Sequence, residues 1–222
     1  MTPFVVGVDG APDGWVAVRL KGRDIVGGAS YRNVGSLLSS EGEARVVAVD
    51  IPIGLPTAAS GPRAADRAAR AFVGLRRSSV FEVPVREALA APSHAEAVRL
   101  CRTAGLAAPS QQAYALRLKI FEVEEHAGDT RVFEVHPEVS FAAIKGAPLL
   151  HGKRSWSGYH ERRALLRTVG IEVPDDLGDL GRAGVDDVLD AVAAAWSAQR
   201  IVAGVARSLP AGAALGQPGI WY

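Results

Sequence analysis

The first segment of the chain has the apolar pattern of two short β-strands. Residues 4–9 are mainly apolar, and residues 15–20 alternate in part between apolar and polar side chains. Between them, residues 11–14 read Ala-Pro-Asp-Gly, a composition typical of a tight turn. The pattern therefore predicts a β-hairpin at the start of the fold.

Three further strands are predicted along the chain. Residues 25–31 form a weaker candidate, whereas residues 46–49 are a continuous apolar run, which is typical of a buried central strand. Residues 131–136 return to a strand pattern that stops at Pro137. Together with the hairpin, these segments predict a sheet of five strands.

Helical periodicity begins near Gly61 and dominates the middle third of the chain. Ser93-His94-Ala95-Glu96 has the form of a capping box, which marks a helix start. Strands and helices do not alternate steadily, so the order favours a mixed α/β sheet begun by a hairpin and a single domain over residues 1–222. The longer helices are predicted over residues 111–127, 158–169 and 185–209.

Composition narrows the class of protein. Of 222 residues, 48% are hydrophobic and 22% are charged, which suits a chain with a sizeable core. The formal net charge of +1 argues against a protein that holds nucleic acid mainly by bulk positive charge. Cys101 is the single cysteine, so neither an intramolecular disulfide nor a cysteine zinc cage can form.

Targeting signals and common catalytic motifs are missing from the sequence. No apolar run approaches the roughly 20 residues of a membrane span, and Met1-Thr2-Pro3-Phe4 lacks the features of a signal peptide, so we expect a cytoplasmic protein without membrane contact. GxGxxG, GxSxG and HExxH are absent, and no Ser or Thr directly follows Lys153 to complete a P-loop. Carboxylates remain as the candidate chemistry.

Two predicted strands each end in an aspartate. Asp9 follows an apolar segment that contains Gly7, and Asp50 follows the apolar run at residues 46–49. An aspartate at a strand end often caps a turn, which is the structural alternative for either residue alone. The repetition of the design in two strands favours a functional pair.

A third group of acids begins the predicted C-terminal helix. Asp186, Asp187 and Asp190 cluster opposite the apolar face that includes Val188 and Val192. Acids in a first helical turn also complement the helix dipole, so a solvated face is the alternative. Their mutual repulsion favours a divalent cation, and an all-oxygen shell suits Mg²⁺ or Mn²⁺ better than zinc. Asp187 and Asp190 are the stronger candidates because i,i+3 spacing points them to a common site.

The chain resembles the RNase H-like superfamily and, more closely, the domain-of-unknown-function family 429, whose members are described as predicted nucleases of RNase H fold. The matching segments span nearly the whole chain. They are Val6-Gly7-Val8-Asp9-Gly10 with Gly14-Trp15, Val49-Asp50-Ile51-Pro52-Ile53-Gly54-Leu55, residues 63–70, Phe133-Glu134-Val135-His136-Pro137-Glu138, and Asp187-Val188-Leu189-Asp190-Ala191.

The resemblance implies a five-stranded mixed sheet, with its first three strands antiparallel, flanked by helices. It also implies that Asp9, Asp50, Asp187 and Asp190 meet at one site, with Asp9 bridging two Mg²⁺ ions that activate water against a phosphodiester. This sequence departs from resolvase-type relatives by having Asp rather than Glu at position 50. It also carries a largely helical insertion at about residues 75–128.

Two further residues near the fifth strand are candidates for catalysis. Glu134 and His136 alternate with apolar Val135, so on a strand their side chains would share a face with that of Glu138. His136 would serve as a general base, a metal ligand or a hydrogen-bonded strand end. These alternatives remain open at the level of sequence.

Basic residues supply candidates for substrate binding. Arg63, Arg67 and Arg70 lie at helical i, i+4, i+7 spacing and would contact phosphates. Lys145, with Lys153 and Arg154, flanks a loop that would close over a substrate. Ordinary surface charge explains these residues equally well.

The leading interpretation is a metal-dependent nuclease or phosphodiesterase acting on nucleic acid or on a smaller phosphate-containing molecule. One alternative is a nucleotide-hydrolysing or phosphoryl-transfer enzyme on a related fold. Another is a non-catalytic binding protein that keeps the fold. The sequence predicts no oligomeric state.

Overall fold

A computed structural model of the chain describes residues 4–214 and 217–222; the segment Met1-Thr2-Pro3 considered above lies outside them. The strands are β1 (Val5–Ala11), β2 (Gly14–Lys21), β3 (Asp24–Tyr31), β4 (Val47–Val49), β5 (Val132–Glu134), β6 (Ser208–Leu209) and β7 (Ile220–Trp221). The helices are α1 (Val34–Ser40), α2 (Ala64–Phe72), α3 (Arg86–Leu89), α4 (His94–Thr103), α5 (Gln111–Ala115), α6 (Arg117–Glu124), α7 (Pro137–Lys145), α8 (Trp156–Thr168) and α9 (Val185–Val202). Short 3₁₀ segments cover Gly74–Ser79 and Gly178–Arg182.

The main sheet has five strands in the order β3-β2-β1-β4-β5. Strands β1, β2 and β3 are mutually antiparallel, whereas β4 runs parallel to β1 and β5 runs parallel to β4. This confirms the predicted α/β class with a mixed sheet whose first three strands are antiparallel, and it is consistent with the RNase H-like description.

Each face of the sheet is covered by helices. Helices α2, α7, α8 and α9 contribute to the larger core on one face. On the other face, side chains of α1 and α6 pack with alternate residues of β1 and β4, among them Val8 and Val49. Successive side chains of a strand point to opposite faces. The alternate positions of β1, Val5 and Gly7, therefore face α9.

Helix α9 is buried on nearly all sides in its central part, from Val188 to Ala195. It lies directly on β1, because a Cβ atom at Gly7 would come within 2.1 Å of the Ala191 carbonyl oxygen and of the Ala195 nitrogen. Only a residue without a side chain permits this approach. Gly7 therefore fixes the distance between the central strand and the acid-bearing helix.

Two predicted helices differ from those observed. Helix α9 ends at Val202 rather than near residue 209, because the chain turns at Gly204 with a positive φ of 69° and continues into β6. The pattern at residues 111–127 is divided at Leu116 into α5 and α6, because Tyr114 packs within the helical insertion whereas Ile120 packs under the sheet.

The predicted insertion is mainly helical and has a small core of its own. Helices α3, α4 and α5 contribute Ala88, Cys101 and Tyr114 to it, and the Tyr114 hydroxyl donates to the Ala91 carbonyl oxygen at 2.6 Å. At the other end of the chain, Trp221 bridges to Val135 beside β5, so the C-terminal tail covers part of that sheet edge. Among the described residues, no helix is both long and apolar enough to cross a bilayer.

Candidate metal centre

Three buried or half-buried aspartates converge at one end of the central strands. Asp9 lies near the end of β1, Asp50 follows β4, and Asp190 lies on α9. One carboxylate oxygen from each residue lies within 4.8 Å of the other two. We refer to Asp9, Asp50 and Asp190 as the acid centre.

Strand register explains why Asp9 and Asp50 meet. Val8 of β1 is the neighbour of Val49 in the parallel strand β4, so the next residue of each strand is an aspartate at the same end of the sheet. The Asp50 backbone N–H donates to the Val8 carbonyl oxygen at 2.9 Å, which continues this pairing by one residue. Because Val8 and Val49 face away from α9, the alternation turns both aspartates toward it.

The acid centre holds more negative charge than its surroundings neutralise. Burial raises the pKa of Asp9 well above its usual value, and the charges of Asp50 and Asp190 raise it further. Burial also raises the pKa of Asp50, and the positive charge of Lys153 opposes this rise. The pKa of Asp190 rises to about 6 because burial outweighs the attraction of Lys153. A divalent cation would compensate this charge.

Lys153 contributes a positive charge to the acid centre. Its Nζ donates to Asp190 Oδ2 at 2.6 Å and lies 3.8 Å from Asp186 Oδ2. Burial lowers the pKa of Lys153, but the neighbouring carboxylates, Asp190 first, outweigh burial and raise it above its usual value. The loop that carries Lys153 packs closely against α8, since a Cβ atom at Gly158 would lie 1.9 Å from the Gly152 carbonyl oxygen.

The other acids at the start of α9 have different positions. Asp187 lines the cleft beside the acid centre but lies outside the group of converging oxygens. Burial and the charge of Asp186 raise its pKa. Asp186 itself pairs with Arg154 at 3.4 Å and lies near Lys153. The structure therefore brings three of the four predicted ligands together and leaves Asp187 at the margin.

A second set of buried acids lies beside the acid centre, and each of its members has an arginine partner. Glu134 accepts from Arg63 Nη2 at 2.5 Å and from the Ile53 backbone N–H. Asp66 lies 3.7 Å from Arg63 and accepts from the Val83 backbone N–H. We refer to Asp66, Glu134 and Glu138 as the arginine-paired acids.

Glu138 is the third of these acids. It lies in the first turn of α7 and pairs with Arg76 at 3.1 Å and with fully buried Arg162 at 2.6 Å. The alternation predicted for Glu134, His136 and Glu138 on one strand is wrong, because β5 ends at Glu134 and a helix begins after His136.

His136 caps that helix and lines the cleft. Its Nδ1 accepts from the Glu138 backbone N–H at 3.2 Å, and its Nε2 lies 3.3 Å from the Ser79 carbonyl oxygen. The network assigns the proton to Nε2, because a carbonyl oxygen can only accept. Both ring nitrogens are thus engaged, which corresponds to the hydrogen-bonded alternative for this residue rather than to a free general base.

The remaining basic candidates lie away from the acid centre. Arg63 is buried and bound to Glu134, while exposed Arg67 donates to the Pro62 carbonyl oxygen and Arg70 to that of Val80. Lys145 pairs with Glu161 at 2.6 Å. Lys153, further along the chain, is the lysine that contacts the acid centre. No local pattern in the sequence distinguishes Lys153 from Lys145.

The acid centre opens into a cleft of about 680 Å³. One wall comes from the segment after α2, at residues 78–83, and from Gln112 and Leu116 of the helical insertion. Arg76, Lys153 and Arg154 supply cationic groups to the lining. The insertion therefore shapes the space above the acids.

Comparison with known proteins places the chain in a family. A family model described as "Protein of unknown function (DUF429)" matches residues 7–214. Because this match covers nearly the whole chain, the protein belongs to that family. Neither the curated proteins nor the solved structures contain a match.

Proposed function

We propose that this chain, as a member of the DUF429 family, is a metal-dependent phosphodiesterase of the nuclease type. The observation that carries the proposal is the convergence of Asp9, Asp50 and Asp190 from two strands and a helix. Residues far apart in sequence are brought to one point. Burial raises the pKa values of all three, and neighbouring carboxylates raise those of Asp9 and Asp190 further. Carboxylates whose pKa values are perturbed in this way are typical of functional sites.

The donor set fits a hard divalent cation. All the converging ligand atoms are carboxylate oxygens, which Mg²⁺ and Mn²⁺ prefer, whereas structural zinc favours cysteine and histidine. Asp9, Asp50 and Asp190 would hold the ion, with Asp187 available at the margin of the cleft. Bound there, the ion would supply Lewis-acid activation of a phosphodiester and of an attacking water.

The protein's own residues would bind and orient the substrate. Lys153 contacts Asp190 directly. Once a cation neutralises the carboxylates, the Lys153 ammonium would leave Asp190 and bind a substrate phosphate oxygen instead. Arg154 stands at the rim with its side chain 88% exposed, so it is accessible to a second phosphate. The wall at residues 78–83 limits the solvent space around the reacting group.

Turnover with matched variants tests this function. Labelled single-stranded DNA and RNA are incubated with Mg²⁺ or Mn²⁺ and the wild type, Asp190→Asn or Asp24→Asn. Asp24 is exposed at the start of β3, at the far end of the sheet, and receives the same chemical change. We expect a loss of about 100-fold or more in Asp190→Asn only, because a lost cation costs several kcal/mol. Equal activity in all three proteins would reject the site.

The volume of the cleft favours one further candidate. About 680 Å³ lies within the range of pockets that enclose a small molecule. Hydrolysis of a single nucleotide is therefore the second candidate, and nucleoside triphosphates in the same assay distinguish it. Cation binding without turnover of any phosphate ester would instead favour a binding protein.

A further inference from the structure

A large aromatic side chain is exposed near the acid centre. Trp156 is 77% exposed, whereas Trp15 is buried in the core. It lies in a surface hollow of about 650 Å³ that is also lined by Tyr159, His160 and Val185. The hollow thus offers an aromatic face that the fold itself does not cover.

This hollow adjoins the cleft, because Lys153 and Arg154 line both spaces. Asp186 lines the hollow, whereas Asp187 and Asp190 line the cleft. A chain molecule with one phosphate beside Lys153 would therefore have its neighbouring unit at the aromatic face. The position of Trp156 is set by the same loop that presents Lys153 to the acid centre.

The local structure holds the tryptophan in place. Ser155 caps α8 by accepting from the Gly158 backbone N–H at 3.0 Å, so Trp156 is the first residue of a regular helix. The His160 ring packs edge-on against the indole with ring centroids 4.1 Å apart. A rigid aromatic side chain loses little conformational entropy when another ring stacks on it.

Charge distinguishes the possible occupants. Arg154, immediately before the tryptophan, has a side chain that is 88% exposed, and its guanidinium can approach a phosphate. An aromatic face next to an exposed cation is typical of proteins that bind single-stranded nucleic acids. The bases stack on the aromatic side chain, and the phosphates lie against the positive charge. In a duplex the bases are already stacked on one another and do not offer their faces.

We propose that Trp156 is the stacking site for a base of a single-stranded nucleic acid whose neighbouring phosphodiester lies in the cleft. The inference rests on the proposed function and names its substrate class as a base-bearing single strand. Arg154, which lines both spaces, binds a phosphate that flanks the stacked base. Trp156 is thus a specificity-determining residue that takes no part in the chemical step.

Binding of paired probes tests the stacking site. Fluorescence anisotropy is measured with Ca²⁺ present, using a short oligothymidylate and an abasic oligomer of the same length and charge. We expect Trp156→Ala to weaken oligothymidylate binding by about 5- to 150-fold, since stacking contributes about 1–3 kcal/mol per base. Binding of the abasic oligomer should change less than about twofold, and Trp156→Phe should retain much of the affinity.

The controls separate this inference from folding and from the proposed function. Because Trp156 is exposed, its replacement should leave the Tm unchanged. Equal weakening of both probes, preference of the wild type for a duplex, or failure of the wild type to bind either probe would overturn the stacking site. Metal-dependent cleavage that ignores Trp156 would reject the stacking site alone, whereas Trp156-dependent binding without cleavage would reject the proposed function alone.

Discussion

The acid centre and the arginine-paired acids are two neighbouring groups of buried carboxylates with opposite electrostatic designs. Asp9, Asp50 and Asp190 share Lys153 as a cationic partner, at the edge of the cleft. Glu138, by contrast, pairs by itself with two arginines, Arg76 and Arg162. Burial of a carboxylate therefore does not identify a metal site by itself. The distinguishing feature is whether the protein supplies the opposite charge.

The pKa values show this difference through their causes. Burial raises the pKa of Asp9, and neighbouring aspartates raise it further. Burial raises the pKa of Glu134 to about 7, but there Arg63 and the Ile53 N–H oppose the rise. Neighbouring carboxylates thus add to the cost of ionisation at Asp9, whereas an arginine and a backbone N–H reduce it at Glu134. An added cation would relieve the repulsion at Asp9, whereas Glu134 already has Arg63 as a cationic partner.

The largest expected effect comes from removing a built-in cation. Arg162→Met would leave Glu138 buried without one of its partners, and we expect a loss of about 3–5 kcal/mol in the free energy of unfolding, measured with urea. The double variant Arg162→Met/Glu138→Gln should recover part of this loss.

A matched change on the same helix controls for the loss of an arginine. Arg167 pairs with Glu172 at the surface, so Arg167→Met should cost less than about 1 kcal/mol. Similar losses in the two single variants would remove the distinction drawn for the arginine-paired acids.

The acid centre should behave in the opposite way when a charge is removed. The folded-state pKa of Asp190 is about 6, against about 3.9 for an unfolded aspartate. As the pH rises from about 4 to 6, the unfolded chain releases its proton first, so the cation-free wild type loses stability. Asp190→Asn lacks this loss, and its advantage should grow by on the order of 1–3 kcal/mol over that interval.

Thermal or urea unfolding in EDTA across this pH range provides the measurement. Asp24→Asn, at the far end of the sheet, should follow the wild type. If the stability of Asp190→Asn fell below that of the wild type toward pH 6, Asp190 would act as a structural acid like Glu138.

A smaller effect is expected from Lys153. Its ammonium contacts Asp190 at 2.6 Å and competes for the oxygen that a metal ion would use. Lys153→Gln should therefore raise Mn²⁺ affinity by about fivefold, which corresponds to about 1 kcal/mol. Lys145→Gln, which removes a lysine paired with Glu161, should leave the affinity unchanged. Titration calorimetry on both variants checks the difference, and weaker binding in Lys153→Gln would show that the lysine supports the metal rather than competing with it.

Much of the fold follows from local patterns. The alternation and apolar runs predicted the five strands, and the sheet that joins them is confirmed. The convergence of Asp9 and Asp50 could be predicted because each follows the apolar residues of a buried strand. The two strands are neighbours in the sheet, and their register brings the aspartates together. Asp190 could be predicted because its i,i+3 spacing from Asp187 points to a common site, and the structure places it in the buried part of α9.

The remainder of the site depends on contacts that no local pattern records. Arg63 has the spacing of a phosphate-binding helix, yet Glu134, distant in sequence, binds it in the interior. Lys145 and Lys153 are not distinguished by their local sequence, and tertiary contacts pair the first with Glu161 and the second with Asp190. Sequence reasoning therefore identified the carboxylates and missed how their surroundings divide them into two groups.

Cation binding tests the central claim most directly. Mg²⁺ and Mn²⁺ are titrated by calorimetry into the wild type, Asp9→Asn and Asp24→Asn, a measurement that requires no substrate. We predict binding to the wild type and to Asp24→Asn, and a loss of about tenfold or more in Asp9→Asn, because one of the converging ligands is removed. Equal binding to all three proteins, or no binding to the wild type, would contradict a metal site at Asp9, Asp50 and Asp190.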